Sequence, residues 1–267
     1  MNCTATLEFA LIEKVSETLP LESTHITQIS KGQRFTGTLL DDGSCGLCFS
    51  FFNPDPIEAC ASIRESTSLY DLKIENMLQL LHVKSLNLER IIAVSVLNAL
   101  SQSILKQKPG SYAITFDTDP IDQLSIHSAD SVVMIGAIGG IFNKLRSITK
   151  NLVLIDEGLQ NIISPTIKHL DTTENYLDRA TIVIITGSSF ANYTLEPLIH
   201  WASNAREIVV VGPTAGFLPD PLFDRGVTVV SGMRVLEPTP LLTVLTENGG
   251  TPHFKSYCRK YNIFKRR

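Results

Sequence analysis

Three groups of residues in this sequence have the types and spacing to do chemistry. The first is Gly136-Ala137-Ile138-Gly139-Gly140, with Asp156 twenty residues after Gly136. Glycines for a tight turn, a helix N-terminus for phosphate and an acid for ribose hydroxyls together make a dinucleotide fingerprint. The spacing here is GxxGG, not GxGxxG. One reading is therefore a nucleotide-like cofactor, NAD or S-adenosylmethionine, and the other is a turn that serves only sheet–helix packing. The second group is Thr186-Gly187-Ser188-Ser189 with Asn192, followed by Gly212-Pro213-Thr214. Hydroxyls and free backbone N–H groups at a strand-to-helix turn favour an anionic ligand, and the same side chains also cap helices routinely. The third group is Asp156 and Glu157, adjacent acids of which one can face a given crevice. Their oxygens suit a hard divalent metal ion. No spacing forces His127, His169, His200 or Cys258 to join them. Thr186-Gly187-Ser188-Ser189-Phe190 is not a Gly-x-Ser-x-Gly elbow, which argues against a serine hydrolase. No nucleophile is paired with a base, so whether the protein is an enzyme stays open.

These groups need elements to hold them, and the pattern from Val132 onward supplies them. Val132 to Ile135 stops at Gly136, Leu152 to Ile155 at Asp156-Glu157-Gly158, and Ile182 to Ile185 at Thr186-Gly187. Ile208 to Val211 stops at Gly212 and Val227 to Val230 at Ser231-Gly232. Uniformly apolar, β-branched runs are expected of parallel strands buried on both faces. Between two of them, Leu195, Leu198, Ile199 and Ala202 have helical spacing. The pattern predicts an α/β, Rossmann-like, doubly wound parallel sheet, with the loops gathered along its C-terminal edge.

Before that sheet the pattern differs. Leu7 to Leu19 reads as an amphipathic helix ended by Pro20, and His25 to Ile29, Phe35 to Leu40 and Gly46 to Phe52 as an antiparallel meander. A helical region then runs to about Leu81. Leu88 to Leu105 carries a wide apolar stripe and must be largely buried, with Glu89 and Arg90 at its start either capping it or reaching a domain interface. The composition changes from Lys106 to Asp130, which puts the boundary near Gly110: a small α+β N-terminal domain over 1–110 and the Rossmann-like domain over 111–267. In the tail from His253 to Arg267, Phe254, Tyr257, Cys258, Tyr261 and Phe264 fall at helical spacing and predict a terminal helix.

Composition narrows the partners. A net charge of −4 and a pI near 5.9 argue against nucleic acid and against anionic membranes. The first fifteen residues contain Glu8 and Glu13 and no long apolar core, and Val132 to Phe142 is too short to span a bilayer, so the expected location is the cytoplasm. The five cysteines, Cys3, Cys45, Cys48, Cys60 and Cys258, are odd in number and irregularly spaced, which suits reduced thiols. Residues three apart on a strand point to opposite faces, so Cys45 and Cys48 could share one ion only if Cys45 belonged to the preceding turn.

The runs VVMIGAIGG, LVLIDEG, ATIVIITGSSFANYTLEPLI and EIVVVGPTAGFLPDPLFDRGVTVVSG resemble the C-terminal domain of a prokaryotic family of unknown function described as "putative heavy-metal chelation" proteins. LERIIAVSVLNALSQ resembles the helix that ends its N-terminal partner domain. The resemblance implies an enolase N-terminal-like domain joined to a Rossmann-like domain, with a site between them that binds a metal or a metal-chelating small molecule. Convergent loops would supply the contacts: Gly136, Gly139, Gly140, Asp156, Glu157, Thr186, Gly187, Ser188, Asn192, Gly212, Pro213 and Thr214. A transferase or other enzyme using the nucleotide-like cofactor is the alternative, a non-catalytic accessory module is a third reading, and a homo-oligomer is compatible with all of them.

Overall fold

The computed structural model describes residues 5–51, 73–108 and 110–266. It is an α/β protein with a three-stranded antiparallel sheet and a seven-stranded, mostly parallel one. The chain divides into two compact units. One comprises Met1–Tyr112, Gly216–Pro221 and Met233–Arg259, and the other Ala113–Ala215, Leu222–Gly232 and Lys260–Arg267.

In the first unit, β1 (Ile26–Lys31), β2 (Phe35–Leu40) and β3 (Cys45–Phe49) form the expected meander. Register decides which residues share a face. Thr38 pairs with Gly46 and Thr36 with Cys48, and this face meets the long helix Leu88–Gln107. Gly46 makes the approach possible: a Cβ there would lie 2.2 Å from the Ala99 nitrogen and the Ser95 oxygen. Thr38 Oγ1 and Ser95 Oγ lie 2.6 Å apart, and Asn98 Nδ2 donates to the Leu47 carbonyl at 2.8 Å. The other face carries Phe35, Cys45 and Leu47, which pack with Leu241, Leu242 and Leu245 of the helix Pro238–Thr246. The sheet is thus covered on both sides, as the width of the apolar stripe requires. Leu88–Gln107 is long and apolar enough to cross a membrane by composition, a property not singled out from the sequence, but 89% of its apolar window is buried inside the protein.

Arg90 is fully buried at the start of that helix. Its guanidinium donates to the Leu81 carbonyl at 2.6 Å and to Glu8 of the helix Leu7–Ser16 at 3.0 Å. Asn87, not Glu89, caps the helix, accepting from the Arg90 N–H at 2.9 Å. Of the helical region expected up to Leu81, Ile74–Gln79 is α-helical and the earlier part lies outside the described residues.

The larger sheet has the order β4-β10-β9-β8-β7-β5-β6, with β4 Ile114–Phe116, β5 Val132–Ile135, β6 Leu152–Ile155, β7 Ile182–Thr186, β8 Glu207–Val211, β9 Val229–Val235 and β10 Cys258–Phe264. Strands β6, β5, β7, β8 and β9 pair in parallel. From β5 the chain places β6 on one side and β7 on the other, so the topological switch lies between β5 and β7, where open α/β sheets bind ligands. Apolar side chains from these strands, including Met134, Ile184 and Val209, form the core of the second unit with Ile141 and Leu145 of the helix Gly139–Ile148.

Two expectations are corrected. The tail is not a helix beyond Phe254: after a short helical turn it becomes β10, inside the sheet, with Tyr261, Asn262 and Ile263 buried in succession. A strand covered on both faces buries consecutive residues, so its aromatics can mimic helical spacing. Strand β9 does not end at Ser231-Gly232 but runs through them to Val235. A Cβ on Gly232 would lie 2.4 Å from the Tyr261 hydroxyl, so this glycine makes room for a neighbour instead of ending a strand.

Candidate functional site

The second unit brings most of the candidate loops into one row along the C-terminal edge of the parallel strands. At one end of the row, Asp156 follows β6. One carboxylate oxygen accepts the Ala137 N–H at 2.7 Å and the other the Gly158 N–H at 2.8 Å. This carboxylate clamps the β5 loop to the β6 loop. Next comes Gly136, at φ +87°, where a Cβ would lie 2.6 Å from Thr186 Cγ2. Only glycine permits both the backbone conformation and the packing of a β7 side chain against it. Thr186 Oγ1 and Ser188 Oγ are 2.9 Å apart. The Gly187 N–H then donates to the Val211 carbonyl at 2.9 Å and the Gly212 N–H to the Ser231 carbonyl at 3.0 Å, continuing the row across β8 to β9.

Within the row the residues differ in what they offer. Gly139 and Gly140 are exposed at the N-terminus of the ten-residue helix Gly139–Ile148, and a Cβ on either would meet nothing within 4 Å. Ile138, the N-cap, provides no side-chain hydrogen bond. The first N–H groups of a helix lack intrahelical partners and carry its positive end. Thr186 and Ser188 are half-buried hydroxyls, Pro213 is half-buried and Thr214 is buried. Asn192 instead accepts from Thr194 Oγ1 at 2.7 Å, organising the turn into the helix Leu195–Trp201. Glu157 is exposed. Ser231, absent from the sequence-derived site, joins the row through its carbonyl. Its place before a glycine was visible, but a backbone acceptor leaves no residue-type signal.

The other candidates lie elsewhere. The His127 N–H donates to Asp130 at 2.7 Å, just before β5 and therefore at the opposite edge of the sheet. His169 is exposed beside Asp171, and His200 is exposed on its helix. Cys45 is in β3 and not in the turn, paired with Leu39, so it and Cys48 point to opposite faces and do not share an ion. Burial pushes both thiols up, Cys45 to about 12.

Residues 119–264 match a family model described as "Putative heavy-metal chelation", and residues 12–101 match a second model with the same description. The chain belongs to this family. Among proteins similar to this family member, an uncharacterized protein of Methanocaldococcus jannaschii is 24% identical over 179 residues. The match spans 66% of this chain and 66% of that protein, just under two thirds of the relative's length. Two solved structures are similar over nearly the whole chain, each a protein of unknown function from the family of the first model. The one from Pyrococcus horikoshii has a TM-score of 0.76 and 18% identity, covering 97% of this chain and 100% of that one. The one from Desulfitobacterium hafniense has a TM-score of 0.77 and 18% identity, covering 97% and 98%. At this identity the likeness shows a shared fold.

The family description raises the question of whether the row could hold a bare heavy-metal ion. Among the described residues no group of three or more His, Cys, Asp or Glu side chains is placed to do so. The Asp156 carboxylate already accepts two backbone N–H groups, and the remaining donors in the row are hydroxyls, amides and the single exposed carboxylate of Glu157. Soft metals prefer sulfur and imidazole. The row does not fit a bare heavy-metal ion held by side chains.

Proposed function

We propose that this member of the "Putative heavy-metal chelation" family binds a small anionic, metal-chelating molecule along the strand-end row of its Rossmann-like unit. The observation that supports this reading is the open helix N-terminus at Gly139-Gly140 beside the β5–β7 switch point. Thr186 and Ser188 supply hydroxyls there, and no cage of metal-ligating side chains is present among the described residues. Such a site recognises the carboxylate or phosphate oxygens of a chelator by N–H and O–H donors, and the metal would arrive already bound to the chelator. Asp156, committed to two loop N–H groups, acts in this reading as the clamp that holds the row in shape.

A thermal-shift titration tests the proposal, with citrate and inorganic phosphate alone, divalent metals alone, metal–citrate mixtures, and S-adenosylmethionine and nucleotides as the competing class. At a hundred times its dissociation constant a ligand adds about 2.7 kcal/mol to stability. Gly140→Asp is the informative variant. Open space accepts the side chain, an acid stabilises a helix N-terminus, and its charge repels an anion. The expected result is a shift with an anionic chelator in the wild type that is lost in G140D while the variant remains folded. A shift with bare metals alone, or equal chelator binding by G140D, would count against the reading.

A further inference from the structure

Within the first compact unit, the turn between β1 and β2 is latched to the end of the helix Pro238–Thr246. A Cβ on Gly32 would lie 2.0 Å from the Leu245 carbonyl oxygen, and one on Gly250 would lie 3.3 Å from Arg34 Cδ and Nη1. Between these two close approaches, the Gln33 N–H donates to Asn248 Oδ1 at 3.0 Å. Asn248 stands just past the helix at φ +62°. Its own N–H donates to the Leu245 carbonyl at 2.9 Å, and the Gly249 N–H donates to the Val244 carbonyl at 2.8 Å. Two such bonds around a left-handed residue make the Schellman motif, whose left-handed position is usually glycine and sometimes asparagine. Asparagine here does what glycine could not, since its side chain holds the turn.

Asn248-Gly249 is also the one Asn-Gly pair in the sequence, and Asn248 is exposed. That pair has a chemistry of its own. With no side chain on the following residue, the Gly249 nitrogen can reach the Asn248 side-chain carbonyl carbon. A nitrogen–Cγ bond forms, the Cγ–Nδ2 bond breaks, and Nδ2 leaves as ammonia with the proton given up by the backbone nitrogen. Water then opens the five-membered imide at either carbonyl, giving aspartate or isoaspartate, and no atom changes oxidation state. The fold opposes the first step: the attacking nitrogen's N–H is committed to the Val244 carbonyl, and Gln33 holds the amide in one orientation. We propose that Asn248 is a site of spontaneous deamidation gated by local opening of this latch, and that its isoaspartyl product frees the β1–β2 turn. In isoaspartate the main chain runs through the former side-chain carbon. The side-chain oxygen that held Gln33 becomes part of the main chain, and the added main-chain atom breaks the spacing of the two motif hydrogen bonds. Aspartate keeps an acceptor oxygen but adds a charge next to Glu247 at the negative end of the helix. The proposal does not rest on the strand-end reading.

The test is to incubate the full chain in mildly alkaline buffer, from no urea to beyond the unfolding midpoint, and to map the one-dalton mass gain of each asparagine. Electron-transfer fragmentation tells isoaspartate from aspartate. Asn248 should be the first asparagine to react. Its rate should be at least tenfold slower in the folded protein than beyond the midpoint, and flat at low urea, as a local opening that exposes little surface requires. In the isoaspartyl protein, separated by ion exchange, hydrogen exchange at the Gln33 amide should be at least tenfold faster. Asn248→Gly has no amide to lose and suits a positive φ, so it should show the same fast exchange at Gln33 with no mass gain. Earlier reaction at another asparagine, equal rates in folded and unfolded protein, or a rate that follows global unfolding from zero urea would each overturn the proposal. So would unchanged exchange at Gln33 in the isoaspartyl protein or in folded N248G.

Discussion

At the scale of single residues, the candidate site shows one residue type serving two purposes. Asp156 and Gly136 stand at the spacing of a nucleotide fingerprint, and the structure does bring their loops together, through the hydrogen bond from the Ala137 N–H to the Asp156 carboxylate. The sequence could therefore indicate which residues converge. It could not indicate what they do on arrival, because an acid that clamps backbone N–H groups and an acid that waits for a ribose look identical in one dimension. Gly136 makes the packing role testable. Gly136→Ala places a Cβ against Thr186 at a positive φ, and both effects are unfavourable. The expected loss is about 1–3 kcal/mol in urea unfolding. Thr186→Ser in the same chain removes one of the two carbons that the new Cβ would meet and should recover part of that loss. If G136A were as stable as the wild type, the close packing of the β5 and β7 loops would not be what fixes this glycine.

At the scale of elements, legibility followed burial. The β5 to β8 strands could be read because a strand buried on both faces is apolar throughout and ends at a turn, and the meander because its turns carry Gly and Asp. The tail failed for the same physical reason that the strands succeeded. In β10, Tyr261, Asn262 and Ile263 are all buried, so the alternation that marks a half-exposed strand is absent and the aromatic spacing fits a helix equally well. Asn262 could not have been placed in a core from its type, yet its amide donates to the Thr118 carbonyl at 3.1 Å and to Gln123 at 3.2 Å. Polar residues of the helix Leu88–Gln107 are comparable: Ser95, Asn98 and Gln102 are buried because strand and loop groups meet them. Gly46 tests the helix–sheet contact as a whole. Its substitution by alanine drives a Cβ into the backbone of the helix, which no rotamer change can relieve. Gly46→Ala should cost about 3 kcal/mol, the upper end of the usual overpacking range, read from the urea midpoint. A loss below about 0.5 kcal/mol would mean that helix and sheet are free to separate at this point.

For the whole molecule, titratable groups shifted by fixed hydrogen-bond partners or by burial predict how stability depends on pH. Burial alone would raise the Asp130 carboxyl, but hydrogen bonds from Arg206, the His127 N–H and Thr181, with the Arg206 charge, hold it below the usual carboxylate range. Asp119 is likewise lowered against its burial by Lys144 and Lys260, and Asp42 by Ser103, Ser44 and Lys106. In the unfolded chain these acids take up protons near pH 4, whereas the folded chain resists until lower pH. The unfolded state therefore binds more protons in that window, and stability falls as pH drops below about 4. The alkaline side has the opposite origin. Burial pushes Cys45 and Cys258 from 9.0 to about 12, and Cys48 higher still. Between about pH 9 and 12 the folded chain keeps protons that the unfolded chain has lost, so stability falls as pH rises, by up to about 1.4 kcal/mol per pH unit for each such group. Urea midpoints measured from pH 2 to 11 should show a plateau between about pH 4 and 9 with losses on both sides. In Cys48→Ala the plateau should be lower, because a buried sulfur is gone, and the alkaline limb shallower by about one proton. An alkaline slope in C48A equal to that of the wild type would mean that the Cys48 thiol reaches solvent and titrates in the folded state, contrary to its complete burial between β3 and the helix Leu88–Gln107.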